Sequence, residues 1–239
     1  MKLDILIFAS HPDDAELGCS GTIVAHIASG KKVGIVDLTR GELGTRGTPE
    51  TRAAEAEAAS KVLGLSVREN LGFADGFFVN DKAHQLKVIE KIRQYKPELV
   101  IMNAIRDRHP DHGKGSQLVS ESCFLAGLKM IETTGPDGES QEAWRPKVVY
   151  HYIQDRYIKP DVIVDIKPYW EKKLESIRAY KTQFYNPDDS SENTYISSPE
   201  FMEFLEARAK EYGHAIGVTY GEGFTVERHI GVKNLFDLI

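Results

Sequence analysis

Apolar runs alternate with helix-like spacing along the first half of the chain. The runs are 7 to 9 residues long and predict buried strands. The amphipathic or alanine-rich segments between them predict helices. The predicted strands are 3–9, 31–39, 66–73 and 98–104, and the predicted helices are 21–29, 51–64, 81–97 and 116–130. Gly30 and Gly64 suit helix ends, and Thr48 or Thr51 suits an N-cap. Strand and helix in alternation predict an α/β fold, a Rossmann-like doubly wound, mainly parallel sheet with helices on both faces.

The pattern is weaker after about residue 130. It predicts strands at 148–153 and 161–166, helices at 170–183 and 199–213, and polar loops at 133–141 and 186–194, the second expected to be mobile. The segment that carries His214 and His229 has no clear pattern. With 239 residues, no internal repeat and no linker, the chain is expected to form one domain over 1–239.

Composition excludes several classes of function. The formal net charge of −6 argues against nucleic acid, which requires a basic face. Cys19 and Cys123 cannot form a disulfide framework and are expected to be small buried hydrophobic residues in a reducing compartment. There is no signal-peptide pattern and no apolar run of about 20 residues, so we expect a cytoplasmic protein without a membrane partner.

Two polar clusters follow directly after predicted strands. HPDDAE, residues 11–16, comes after the first strand, and RDRHPDHGKG, residues 106–115, comes after the fourth. In a doubly wound sheet these two strands are neighbours, and ligands bind in the crevice beyond their carboxyl ends. Acidic groups are costly to bury without a partner. The clusters are therefore expected to meet at this crevice and to share something positively charged.

Imidazole and carboxylate ligands suit zinc, and a catalytic zinc keeps three protein ligands and one open position. His11, Asp14 and His112 could form that set, which would leave the carboxylate of Asp13 free to accept a proton from water. Fe²⁺ or another divalent ion would also suit these ligands. HPDD alone is more often a plain turn, and His109 alone is more often a surface residue. It is the pair of clusters that favours a metal site.

The chain resembles a known family at these clusters. HPDDAELGCSGT followed by HPDH resembles the LmbE-like, or PIG-L, family of zinc-dependent N-acetylglucosaminyl deacetylases. Similar segments are VDLTRGELGTRGT, TRAAEA, DVIVDI and GVTYGEGF. The likeness is greatest to the branch that removes acetate from N-acetylglucosaminyl-malate in bacillithiol biosynthesis.

The resemblance implies roles for particular residues. It makes His11, Asp14 and His112 the metal ligands and Asp13 the general base. It makes His109 the protonated partner of the oxyanion or leaving amine, and it makes Asp111 the group that orients His109 and keeps it charged.

Other positions stay open. Arg52 and Arg108 are candidates for binding the substrate's carboxylates, or each could form a structural ion pair. Phe201 stands where some relatives have a tyrosine, and Tyr185 and Tyr195 lie nearby in sequence.

The resemblance implies a small-molecule glycoside as substrate and a homo-oligomer, a hexamer in many relatives. Other substrates remain open, namely a mycothiol-type conjugate, a chitin-derived disaccharide or a thiol S-conjugate. A metal- or sugar-binding module without turnover is a further alternative. The intact Asp13 argues against it, since a pure binding site needs no spare base.

Overall fold

The fold is built on one seven-stranded sheet with strand order β3-β2-β1-β4-β5-β7-β6. The computed structural model describes residues 1–187, 189 and 191–238. Its strands are β1 (Ile5–Ala9), β2 (Val33–Thr39), β3 (Val67–Phe73), β4 (Leu99–Met102), β5 (Val148–Tyr152), β6 (Val162–Asp165) and β7 (Gly221–Val226). Strands β1 to β5 pair in parallel, and β7 lies antiparallel between β5 and β6. The predicted mainly parallel, doubly wound sheet is confirmed.

Helices cover both faces of the sheet. They are α1 (Asp14–Ala28), α2 (Pro49–Leu63), α3 (Lys82–Tyr95), α4 (Pro110–Leu125), α5 (Trp170–Arg178) and α6 (Pro199–Ala215), with short 3-10 helices at Lys167–Tyr169, Tyr195–Ser197 and Leu235–Asp237. Helices α1, α2 and α5 pack together, and α3 packs beside α4 against a separate hydrophobic core. Strand β1 is fully buried between these layers, which explains its uninterrupted apolar sequence.

Several predictions about elements were incomplete or wrong. The helices predicted at 116–130 and 170–183 end earlier than predicted, at Leu125 and Arg178. Helices α1 and α4 begin earlier than predicted, at Asp14 and Pro110, because their first turns carry polar residues instead of the apolar spacing of a packed helix. Pro110 occupies the first helical turn, where its missing N–H costs nothing. Strand β7 lies in the segment that could not be placed. The predicted loop at 186–194 includes Asp188 and Ser190, which lie outside the described residues.

Helix α1 is broken at Cys19, whose φ of −149° and ψ of 18° are not helical. Side chains from elsewhere satisfy the backbone groups on both sides of the break. Lys173 of α5 donates to two carbonyls before it, and the carboxylate of Glu222 in β7 accepts from two N–H groups after it. These groups are the carbonyls of Glu16 and Leu17 and the N–H groups of Gly21 and Thr22. Lys173 Nζ and Glu222 Oε1 are 2.7 Å apart, so the two half-helices share one buried ion pair.

Two glycines in α1 allow the helix to pack closely on the sheet. A Cβ on Gly18 would lie 2.2 Å from the ring of Tyr152, and one on Gly21 would lie 2.8 Å from Ile166. Both contacts are too short for any larger residue. Packing therefore explains these glycines, and no nucleotide needs to be invoked.

Candidate active site

The two polar clusters meet at the carboxyl ends of β1 and β4. These strands are hydrogen-bonded neighbours, with Ile7 opposite Ile101. Residues 10–14 leave β1 and enter α1, while residues 103–112 leave β4 and enter α4. The predicted convergence at the switch point of the sheet is confirmed.

The carboxylate of Asp14 lies between two imidazole rings. Its Oδ2 is 3.4 Å from Nδ1 of His11, and its Oδ1 is 3.1 Å from Nε2 of His112. All three side chains are buried. Ligand atoms that share a tetrahedral zinc at about 2.1 Å stand about 3.4 Å apart. Each histidine is therefore at a distance from Asp14 that suits two ligands of one ion, although the two rings face different carboxylate oxygens. One ring nitrogen from each of His11, His109 and His112 also lies within 4.8 Å of the others, as do ligand atoms of His11, Asp75 and Asp111.

His11 and His112 each contact a second carboxylate through the ring nitrogen that faces away from Asp14. Nε2 of His11 is 3.0 Å from Asp75 Oδ1, and Nδ1 of His112 is 2.7 Å from Asp107 Oδ2. Each contact occupies one ring nitrogen and directs the other nitrogen towards Asp14. Metal-binding histidines commonly have such a partner, which fixes the tautomer and the ring orientation. These contacts are further support for a metal at this point.

Two side-chain amides fix Asp14 itself. Asn103 Nδ2 donates to Oδ2 at 3.0 Å, and Gln154 Nε2 donates to Oδ1 at 2.7 Å. Burial raises the pKa of Asp14, but contacts with His112 and His11 outweigh it and hold this pKa well below its usual range. Asp14 is thus an ionised, oriented carboxylate.

Four of these supporting residues were not identified from the sequence: Asp75, Asn103, Asp107 and Gln154. Asp107 lies within the cluster at 106–115 but was given no role, and the other three belong to no recognisable motif. A signal was nevertheless present, because all of them follow shortly after the carboxyl end of a parallel strand, namely β3, β4 or β5. Polar residues at every strand end of a parallel sheet are candidates for the site, as the two histidine clusters are.

Asp13 is paired with an arginine. Its Oδ2 is 2.8 Å from Nη2 of Arg52, and both side chains are buried. Burial raises the pKa of Asp13 to about 7, although Arg52 acts in the opposite direction. A carboxyl group with a pKa near neutrality can both accept and release a proton. The backbone of Asp13 has a φ of 116°, a conformation that non-glycine residues rarely adopt and that clusters at functional sites.

The two predicted substrate-binding arginines differ in their surroundings. Arg52 borders the cavity, but its guanidinium donates to Asp13 and to the carbonyl of Pro12 at 2.5 Å, so the alternative of an ion pair describes it better. The side chain of Arg108 is 47% exposed at the cavity, and its Nε lies 3.5 Å from Asp155 Oδ2, so Arg108 also takes part in an ion pair. Its guanidinium lies 4.4 Å from the ring centre of Tyr195. Arg108 is therefore available to a ligand.

Asp111 was predicted to contact His109 through its carboxylate, but the contact is made by its backbone N–H. The carboxylate of Asp111 accepts from the Gly76 N–H and contacts Lys114 and His11 instead. His109 Nδ1 accepts the backbone N–H of Asp111 at 3.3 Å. Burial, followed by the neighbouring imidazoles, lowers the pKa of His109 to about 4. Nδ1 of His109 therefore acts as an acceptor, and none of the ion pairs among the described residues joins His109 to a carboxylate.

Glu16 also differs from expectation. The acidic cluster was expected to be neutralised by a cation, but the Glu16 carboxylate lies 2.6 Å from Nη1 of Arg68 and accepts from the Tyr180 hydroxyl. It is fully buried and belongs to the packing of α1. Within HPDDAE, Asp14 alone faces both histidines.

A cavity of about 320 Å³ opens over these groups. Its walls come from the ends of several strands and from the segment before α6. They include His11, Asp13, Asp14, His109, His112 and Gln154 around the reacting centre and Leu43, Arg46, Arg108, Gln183, Tyr195 and Ile196 further out. The volume is in the range of small-ligand sites. Phe201 lies beside this cavity in a small recess, and Tyr195 is the tyrosine that borders the cavity itself.

The fold and the site define a class of protein, an α/β protein with a buried His-Asp-His set and a spare carboxylate at the switch point of its sheet. The chain belongs to the PIG-L family, whose model, described as GlcNAc-PI de-N-acetylase, matches residues 6–123.

Known proteins resemble the chain over most of its length. It is similar to the conserved protein TT1542 of Thermus thermophilus, with 35% identity, a TM-score of 0.85, and coverage of 97% of this chain and 98% of that one. It is 29% identical over 233 residues to the diacetylchitobiose deacetylase of Thermococcus kodakarensis, covering 92% of this chain and 81% of the relative. It is 26% identical over 219 residues to a probable N-acetyl-alpha-D-glucosaminyl L-malate deacetylase 2 of Bacillus anthracis. The match covers 84% of this chain and 91% of the relative.

Two simpler expectations can also be compared with the structure. Cys19 and Cys123 are both free and buried, as predicted. Among the described residues, no helix is both long and apolar enough to cross a membrane.

Proposed function

We propose that the protein is a metal-dependent N-deacetylase that hydrolyses the N-acetyl amide of an N-acetylglucosamine conjugate to the free amine and acetate. The observation that carries this proposal is the position of Asp13, a buried carboxyl that borders the same cavity as His11, Asp14 and His112 and is held by Arg52 at 2.8 Å. The relatives named above include two deacetylases of N-acetylated sugars.

His11, Asp14 and His112 would hold the metal, with zinc as the leading candidate. When bound, the ion would supply positive charge that polarises the amide carbonyl and acidifies water. Asp13 would accept the proton of the attacking water and later deliver it to the leaving nitrogen. Arg52 would keep the Asp13 carboxylate in place, and His109 would donate its Nε2 proton to the developing oxyanion.

N-acetylglucosaminyl-malate is the leading candidate for the substrate. Its malate group carries two carboxylates, which suit a guanidinium at the cavity entrance. Arg108 is exposed at that position, and Arg46 borders the same cavity, although it also pairs with Asp189. Arg52 is less free, because its side chain is buried and its Nη2 already donates to Asp13 and Pro12.

A chitin-derived disaccharide is a second candidate. It is supported by Tyr195, which lies at the cavity entrance and is 51% exposed. Sugar rings pack on aromatic faces, and a neutral second sugar would not need Arg108. The two candidates therefore predict opposite consequences of removing this arginine.

Acetate release tests the proposal. Purified protein loaded separately with zinc and with Fe²⁺ is assayed on N-acetylglucosaminyl-malate, diacetylchitobiose and free N-acetylglucosamine. The Asp13→Ala variant should retain its metal but lose about 10²- to 10⁴-fold in rate. Arg108→Ala should lower kcat/KM for the malate conjugate by about tenfold or more and leave free N-acetylglucosamine unchanged. Metal binding without acetate release from any of these compounds would instead support a binding module.

Equal kcat/KM for the malate conjugate and free N-acetylglucosamine would exclude malate as a recognised group. It would leave the deacetylase chemistry intact. Loss of metal from Asp13→Ala would show that Asp13 is a ligand and not the base.

A further inference from the structure

Gln154 presents a buried acceptor that no group of the described protein satisfies. The residue follows β5 and is 8% exposed. Its Nε2 donates to Asp14 Oδ1 at 2.7 Å, which fixes the amide orientation, since the opposite orientation would set two oxygens against each other. Oε1 is left without a hydrogen-bond partner. An unpaired buried acceptor is costly, so this atom calls for a donor from outside the chain.

Gln154 lies next to a small recess. Gln154 borders the main cavity and also a recess of about 20 Å³ that continues from it past His109 and His112. The lining of this recess is apolar on the side of Leu17, Ile196, Phe201 and Leu205, and it also includes Arg108 and Asp155. A space of this size admits one group as large as a water molecule. A methyl group therefore fits, and a longer alkyl chain does not.

An acetamide group presents the matching pair of features on one edge. A secondary amide is planar and trans, so its N–H points away from the carbonyl oxygen. The acetyl methyl and the N–H then lie on the same edge, while the carbonyl oxygen and the sugar carbon are at the other two corners. An acceptor beside a methyl-sized recess complements that edge.

We propose that Gln154 and the recess form a subsite that recognises the methyl and N–H edge of the substrate's acetamide. Gln154 Oε1 accepts the amide N–H, and the recess receives the methyl group, with Phe201 limiting the length of the acyl chain. This inference rests on the proposed function and narrows it. The substrate must be a secondary amide with a small acyl group, and an ester or a longer acyl chain is disfavoured.

A double-mutant cycle tests the acceptor. The Gln154→Met variant keeps the side-chain length but removes the acceptor, and an O-acetyl analogue of the sugar removes the donor. The four values of kcat/KM are compared, so the intrinsic reactivity of the ester cancels. We expect Gln154→Met to reduce the preference for amide over ester by about 5- to 150-fold. Gln154 also supports Asp14, but a purely supporting role would lower both substrates equally, and that result would overturn the inference.

The recess is tested with acyl chains of different length. Replacing Phe201 with alanine, or more mildly with leucine, should raise the ratio of N-butyryl to N-acetyl turnover by about tenfold or more. Phe204→Ala is the matched control, because Phe204 lies on the same helix but is 37% exposed and does not border the recess. An unchanged ratio in folded Phe201 variants would refute the role of the recess.

Equilibrium binding separates this inference from the proposed function. In the Asp13→Asn background, calorimetry compares the N-acetyl sugar with its O-acetyl analogue, with and without Gln154→Met. If the wild-type protein releases no acetate, the proposed function fails, but a preference for the amide that depends on Gln154 still supports the subsite. If acetate is released and binding shows no such preference, the subsite is refuted and the deacetylase proposal stands.

Discussion

Replacing Asp107 with asparagine tests how His112 is prepared for a metal. Asp107 Oδ2 lies 2.7 Å from His112 Nδ1, while its Oδ1 accepts the backbone N–H groups of Arg108 and Arg156 at 2.8 and 2.7 Å. Asparagine has only one side-chain oxygen, so it cannot accept from the backbone N–H groups and also contact His112 through an oxygen. Its oxygen must stay with the two backbone donors, so its NH₂ group will face His112.

The consequence is a change of tautomer. An NH₂ group donates to Nδ1, so a neutral His112 must then carry its proton on Nε2, the nitrogen that faces Asp14 at 3.1 Å. That nitrogen can no longer bind a metal without losing its proton. Loss of such a supporting partner typically costs 10- to 100-fold in metal affinity, or about 1.4–2.7 kcal/mol.

Zinc affinity is measured by competition with a chromophoric chelator at neutral pH. Asp81→Asn is the control, since Asp81 Oδ1 also lies 2.7 Å from a histidine, Nδ1 of His84, but this pair is outside the site and the Asp81 side chain is 50% exposed. We expect weaker binding in Asp107→Asn and wild-type affinity in Asp81→Asn. Wild-type affinity in both variants would refute the argument that Asp107 sets the tautomer of His112.

Three other predictions concern stability and rate. Because Asp13 has a φ of 116°, Asp13→Gly should be more stable than Asp13→Ala by about 1–3 kcal/mol in urea unfolding, and equal stability would argue against backbone strain. Both variants should lose the same large share of acetate release, since each lacks the carboxylate. Lys173→Met leaves Glu222 buried and unpaired and should cost about 3–5 kcal/mol in chemical unfolding; adding Glu222→Gln should restore part of the loss, and no recovery would contradict the ion pair.

Local sequence patterns predicted the parts of the site that depend on strand order. His11, Asp14 and His112 follow strands whose apolar runs are unambiguous, and parallel packing brings those strand ends together. Strand β7 was missed because GEGFTV contains two glycines and no clear alternation. Those glycines lie against Tyr212 and Ile163, a contact that exists only after the chain has folded.

Pairings between distant residues could not be predicted from local patterns. Arg68 and Glu16 are separated by 52 positions, and nothing in either segment identifies the other as its partner. The contact between Asp75 and His11 is likewise not visible in the local sequence. Asp107 is close to His112 in sequence, but that separation does not determine which ring nitrogen it contacts. The orientation of Asp111 was mistaken for a related reason, because the first turn of α4 directs its carboxylate away from the ring of His109.

The break in α1 has a consequence for biosynthesis. The turn that carries Asp14 leaves the ribosome early, but the carboxylate that secures the helix after the break belongs to Glu222, 201 residues beyond Gly21. At 5–20 residues per second, this partner is translated about 10–40 s later. Until then the histidines and carboxylates of the site are present in the nascent chain, but the contact that fixes their relative positions is missing. We therefore expect selective metal uptake to begin only after the segment that carries Glu222 has been translated.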